Sequence, residues 1–112
     1  MSDFIKYLPY EISSRGIDLE DSIGVKEVAW EFEDIIQIIS YLIENDYTIL
    51  GGDVYKLVKD VIEITYDNWY INVSENYDIK YESQEKALHY VTEYNKKNGS
   101  NYLYSIVAVQ SR

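Results

Sequence analysis

Between residues 61 and 74 the chain reads VIEITYDNWYINVS, an alternation of large apolar and mostly polar side chains around a central Asp67-Asn68. A period of two is the mark of a strand with one buried face, and an Asp-Asn pair tolerates the backbone of a tight hairpin turn. Folded at that point, the segment sets Tyr66 opposite Trp69, Ile64 opposite Ile71 and Ile62 opposite Val73 on one face. The other face then holds Thr65 with Tyr70, Glu63 with Asn72 and Val61 with Ser74. A slip of one residue would mix the two sets, so the register is specified. An apolar hairpin face is unstable in water alone, and the rest of the chain has to cover it.

Two segments qualify as cover. From 25 to about 45, Val28, Phe32, Ile35, Ile36, Ile39, Leu42 and Ile43 recur at spacings of three and four, the stripe of an amphipathic helix, and Asn45-Asp46 suits its end. On that helix Glu27, Glu31 and Asp34 fall on another face, and Trp30 packs a flank. A second helix is expected from Ser83, as N-cap, to about Lys97, with Ala87, Leu88, Val91 and Tyr94 inward and Asn98-Gly99 as the stop. Strand propensity marks 47–50 and 54–58, separated by Gly51-Gly52-Asp53, where the glycines permit a tight turn or a close backbone approach. Residues 102–109 are apolar on both alternating faces apart from Ser105, which reads as a strand inside the sheet. Residues 1–24, with Pro9, Gly16 and Gly24, read as a loop-rich lead-in with at most one short helical turn. The expectation is a single domain over 1–112 of α+β class: a mostly antiparallel sheet with a central hairpin, packed against two helices.

Charge narrows the partners. Twenty acidic residues against ten basic ones give a net charge of −10, which repels nucleic acid and anionic membrane and favours a basic partner. The field is uneven. Residues 1–60 hold 13 acids and 5 bases, residues 61–112 only 7 and 5, and seven acids lie between Gly16 and Asp34 against Lys26 alone. No apolar run reaches the ~18 residues of a membrane span, and the N-terminus lacks the pattern of a secretory signal, so a cytoplasmic protein is expected. Without cysteine there is no disulfide framework and no thiolate nucleophile or metal ligand.

Little local chemistry is encoded. The one histidine, His89, lies with Glu85, Thr92, Glu93 and Lys96 on the polar side of the second helix, with no nucleophile or metal set around it. No phosphate-binding, zinc-protease or calcium-loop motif is present. Asp53 and Asp67, both near turns, leave room for a small carboxylate-dependent enzyme. The unusual feature is thirteen tyrosines and two tryptophans, residue types enriched in interfaces and their hot spots. Tyr66, Trp69 and Tyr94 are claimed by the core; Tyr70 is left on the polar face.

Two motifs taken together, Ile49-Leu50-Gly51-Gly52-Asp53-Val54-Tyr55 and Tyr66-Asp67-Asn68-Trp69-Tyr70, followed by a helix with Ser83 and Ala87 and a Tyr-containing strand, resemble the bacterial Immunity protein 40 family. The resemblance runs from about Trp30 to Val109. It implies an α+β fold, no cofactor, no catalysis, and occlusion of a cognate toxin of a polymorphic or contact-dependent system. Gly51, Gly52 and Trp69 then serve the scaffold, and Asp53, Tyr55 and Tyr70 are candidates for contact, beside Glu27, Glu31 and Asp34 from the acidic segment. A nucleic-acid-mimicking or other acidic regulator of a host enzyme is the competing reading.

Overall fold

The computed structural model describes residues 3–72 and 79–110. It is an α+β domain built on one long strand. A short 3-10 turn, Asp3–Tyr7, leads to α1 (Tyr10–Ser13), β1 (Ile17–Asp18), α2 (Leu19–Ile23), β2 (Val28–Ala29) and α3 (Phe32–Glu44). Then come β3 (Tyr47–Val58), β4 (Val61–Tyr70), α4 (Ile79–Asn98), β5 (Tyr102–Tyr104) and β6 (Val107–Gln110). Strand β3 is central. One edge pairs antiparallel with β4, and the other pairs with β5 through Val54–Lys56 and with β6 through Tyr47–Gly51.

The hairpin turn lies at Lys59-Asp60 and not at Asp67-Asn68, because both Lys59 (φ 49°) and Asp60 (φ 68°) take the left-handed backbone that a two-residue turn demands. Residues 61–70 are therefore one strand. What looked like a turn is a wide bulge: Asp53 pairs with Asn68 and Tyr55 with Ile64, so Val54 faces Thr65, Tyr66 and Asp67 together. Thr65 anchors it, its hydroxyl donating to the Val54 carbonyl (2.6 Å) and accepting from the Asp67 amide (3.0 Å). Tyr66, at φ 65°, is thrown outward and is 85% exposed, against the expectation that it joins the core. Ile64 is exposed too. Trp69 keeps its expected place, buried and stacked on Tyr90 at 5.0 Å. The expected partners Val73 and Ser74 lie outside the described residues.

Helices α3 and α4 cover one face of the sheet. Ile35, Ile38, Ile39, Leu42 and Ile43 of α3 are buried with Ala87 and Val91 of α4, against Ile49, Val54, Trp69, Tyr104 and Ala108 of the sheet. Each such aliphatic side chain removed from water contributes ~1.5–3 kcal/mol. The first helix begins at Phe32, seven residues later than its stripe indicated. The preceding segment is extended: Val28 and Ala29 pair with Asp18 and Ile17, and Trp30 exchanges backbone hydrogen bonds with Tyr104 at 2.9 and 2.8 Å. Trp30 is thus fully buried in the core and not on a helix flank, its indole donating to the Ile12 carbonyl. Likewise Ser83 is no cap. It sits inside α4, buried, accepting from the Ile49 amide (3.0 Å) and donating to the Lys80 carbonyl (2.8 Å), which ties helix to sheet. Gly99 ends that helix as expected, with φ 91°.

The opposite face of the sheet is covered only in part. The lead-in is more ordered than its glycines and proline indicated: Phe4 and Leu8 enter the main core, and Asp18 caps α2 by accepting from the Glu20 amide. Leu19, with Ile17, Ile23 and Val25, closes a second, smaller core over Ala29, Tyr55 and Leu103. Residues 102–110 do not form one interior strand. They break at Ser105-Ile106, and among the described residues β6 has β3 as its only strand partner.

Candidate functional site

The sheet face away from α3 and α4 is where the sequence's candidates gather. Asp53 and Tyr55 alternate with Val54 along β3; Val54 enters the main core and Tyr55 the second one. Glu27 approaches from the loop before β2. The Tyr55 hydroxyl donates to Glu27 Oε1 at 2.5 Å, and the Asp53 carboxyl lies near enough to the same carboxylate to feel its charge. Two carboxyl groups side by side cannot both ionise freely. Burial, first, and then the neighbouring Glu27 carboxylate push the Asp53 carboxyl up from 3.8 to about 6. Burial also raises the Tyr55 hydroxyl, with Glu27 adding to it, so Tyr55 is a fixed donor at every physiological pH.

Beside this pair the sheet surface is dented. Gly51 and Gly52 have no side chains, and neither position has room for one. A Cβ on Gly51 would lie 2.2 Å from the Trp69 carbonyl oxygen, and one on Gly52 would lie 2.0 Å from that of Ser105. The close approach of β4 and of the β5–β6 junction thus requires both glycines. It leaves an open depression of about 350 Å³ lined by Leu50, Asp53, Asn68, Tyr70 and Val107 over a floor that includes Trp69. Leu50, Val107 and Val109 are each 40–49% exposed and Tyr70 77%, a set of large apolar groups on the part of this sheet face that α2 leaves uncovered. Sequence reasoning placed Tyr70 correctly on the outer face. It missed Leu50, Val107 and Val109, because a run apolar on both faces reads as interior when nothing in the sequence tells which face is covered.

The structure separates the remaining acids from this place. Glu31 is exposed at the N-terminal boundary of α3, where its carboxylate makes no capping bond. Asp34, in the first turn of α3, is buried and paired with Arg15 at 2.8 Å. The expected common helix face for Glu27, Glu31 and Asp34 therefore does not exist, since Glu27 and Glu31 precede the helix. Asp67, the other carboxylate considered for chemistry, accepts from the Tyr94 hydroxyl at 2.6 Å. His89 is exposed on α4, as its helical position indicated. Among the described residues no three His, Asp or Glu side chains converge on a site for a metal ion, and no helix is long and apolar enough to cross a membrane.

Fold and surface together define a class: a small acidic α+β domain that presents tyrosine, aliphatic and carboxylate groups on an uncovered sheet face. Within that class the family is shown by the sequence. The family model described as Immunity protein 40 matches residues 18–108, and the chain belongs to that family. It is therefore an immunity protein of toxin–immunity systems. The match takes in α2, Glu27 and the four-stranded sheet as far as Ala108, and begins twelve residues before Trp30, where the resemblance starts. Searches of curated proteins and of solved structures returned no match to the chain.

Proposed function

We propose that this protein neutralises a cognate toxin by covering a basic surface of it, without catalysis, through the uncovered sheet face and its acidic border. What supports this reading is that the Gly51–Tyr55 and Asp67–Tyr70 segments, which lie inside the family match, converge on one exposed face with Asp53 and Tyr70 at its centre. Acids attract and orient a basic partner, and rigid tyrosine and aliphatic groups hold it. In this scheme Tyr70 and Asp53 touch the toxin, Glu27 and Tyr55 position Asp53 from behind, and Glu31 contributes long-range attraction. Asp34 acts indirectly, by fixing Arg15 against α3.

The test is co-expression with the toxin encoded by the neighbouring gene, followed by binding kinetics of the purified pair. The expected result is rescue of growth, titration of the toxin's activity at one-to-one stoichiometry, and no retardation of DNA or RNA by the isolated protein. The association rate should fall as salt shortens the Debye length to about 8 Å, with little change in dissociation. Two ionisable carboxyls in contact, one poised at about 6, are also the arrangement of a general acid. Turnover of any substrate by the isolated protein, abolished in Asp53→Asn, would move the conclusion to that chemistry.

A further inference from the structure

We infer that the dent over Gly51 and Gly52 seats one cationic side chain, arginine or lysine, from the basic surface of the toxin, with Asp53 as the group that receives its charge. The inference rests on the toxin-binding reading and names the point on the protein where the partner is recognised. Its shape is the first argument. At about 350 Å³ the depression lies near the low end of the ~300–1,000 Å³ of small-molecule sites, and it is open to solvent, which suits a side chain presented by another surface.

Chemistry is the second argument. Leu50 and Val107 offer apolar walls to a methylene stem, in the way long basic side chains lie along apolar surface. Tyr70, 77% exposed, offers a ring against which a guanidinium or ammonium gains cation–π attraction. Asp53 lines the same depression with Glu27 pressed against it. The ion pairs found among the described residues, Arg15 with Asp34 and Lys80 with Asp46, leave the Glu27–Asp53 pair without a cation of the chain's own. A base arriving from outside relieves the repulsion between the two carboxylates as well as making its own bond. Charge also argues against the simplest rival occupant: a second copy would bring −10 to −10.

Binding to the immobilised toxin at pH 7.5 and 5.5 decides the matter, using Asp53→Asn, Val107→Lys and Tyr70→Ser, with Tyr81→Ser on the opposite side of the molecule as control. Each dent variant is expected to raise Kd about tenfold or more, Tyr70→Ser mainly through the off-rate, while Tyr81→Ser stays within about twofold. Wild-type affinity should fall between pH 7.5 and 5.5, and Asp53→Asn should lose that dependence. Reversal of Asp53 to Lys, rescued by an Arg- or Lys-to-Glu change in the toxin, would identify the seated residue. Val107 and Tyr70 are surface positions, so their variants keep the test open should Asp53→Asn misfold. Wild-type binding that none of the dent variants weakens overturns this inference and leaves the toxin reading standing. Failure of the wild type itself to bind or inhibit overturns that reading as well. Self-association abolished by Val107→Lys would assign the dent to a second copy and overturn the cationic seat.

Discussion

Replacing Asp53 by Asn should make the protein more stable at neutral pH. In the fold the Asp53 carboxyl is raised from 3.8 to about 6, chiefly by burial and then by Glu27. A carboxyl whose pKa is higher folded than unfolded contributes stability that is fully present below about pH 4 and is lost as the pH rises through about 6. At 1.36 kcal/mol per pH unit the ceiling on this loss is about 3 kcal/mol. Asp53 is only partly buried, so solvent screening reduces the expected cost to about 1 kcal/mol. Asn keeps the shape, removes the charge and turns an NH₂ toward Glu27. Urea unfolding at pH 7 should therefore show a midpoint higher by ~0.5 M, given a slope of ~1–3 kcal/mol per molar. At pH 4.5, where Asp53 is already protonated in the fold, most of the gain should be absent. A loss of stability at pH 7, or the same difference at both pH values, would refute the strained acid pair. The variant expected to be more stable is also the one expected to bind its toxin less well.

Three further outcomes follow from the fold. Trp69→Ala removes a buried ring stacked on Tyr90 and should cost about 3–5 kcal/mol in chemical denaturation. Gly52→Ala places a methyl 2.0 Å from the Ser105 carbonyl oxygen, so strands must separate; about 3 kcal/mol or loss of a cooperative transition is expected by thermal melting. Changing Lys59-Asp60 to Asn-Gly puts better-suited residues at two positive-φ positions, and the melting point should rise by an amount equivalent to about 1 kcal/mol.

The class of fold was legible because its signals are local and strong. The stripe of Ile35, Ile39, Leu42 and Ile43, the Gly99 stop and the inward Trp69 all came out as read. The hairpin did not, because Lys59-Asp60 is chemically unremarkable as a turn, whereas Asp67-Asn68 has the composition of one and is occupied by a bulge. That bulge adds two residues, an even number, so the faces alternate through it as in an uninterrupted strand: Trp69 enters the main core while Ile62 packs on the second one, although the expected hairpin had set them on a single face. Trp30 and Ser83 were misread for a related reason: their roles are set by Tyr104 and Ile49, partners far away in the chain. At the candidate site, Asp53, Tyr55 and Tyr70 were visible through their motifs, and Glu27 only as one of several acids. Its meeting with Asp53 depends on how α2 folds over the sheet, which no spacing encodes.

The position of β3 in the pairing scheme also governs when the protein can begin to work. One edge of this strand is satisfied by its immediate successor, but the other waits for residues 102–110, with Tyr47 pairing to Gln110 and Lys56 to Tyr102. Pairings that close loops of this length form late and slowly compared with local ones. A nascent chain halted before residue 102 leaves Ile49 and Val54 with one flank bare, a species prone to aggregate and without the Val107 wall. The candidate site is therefore complete only once residues 102–110 have paired with β3.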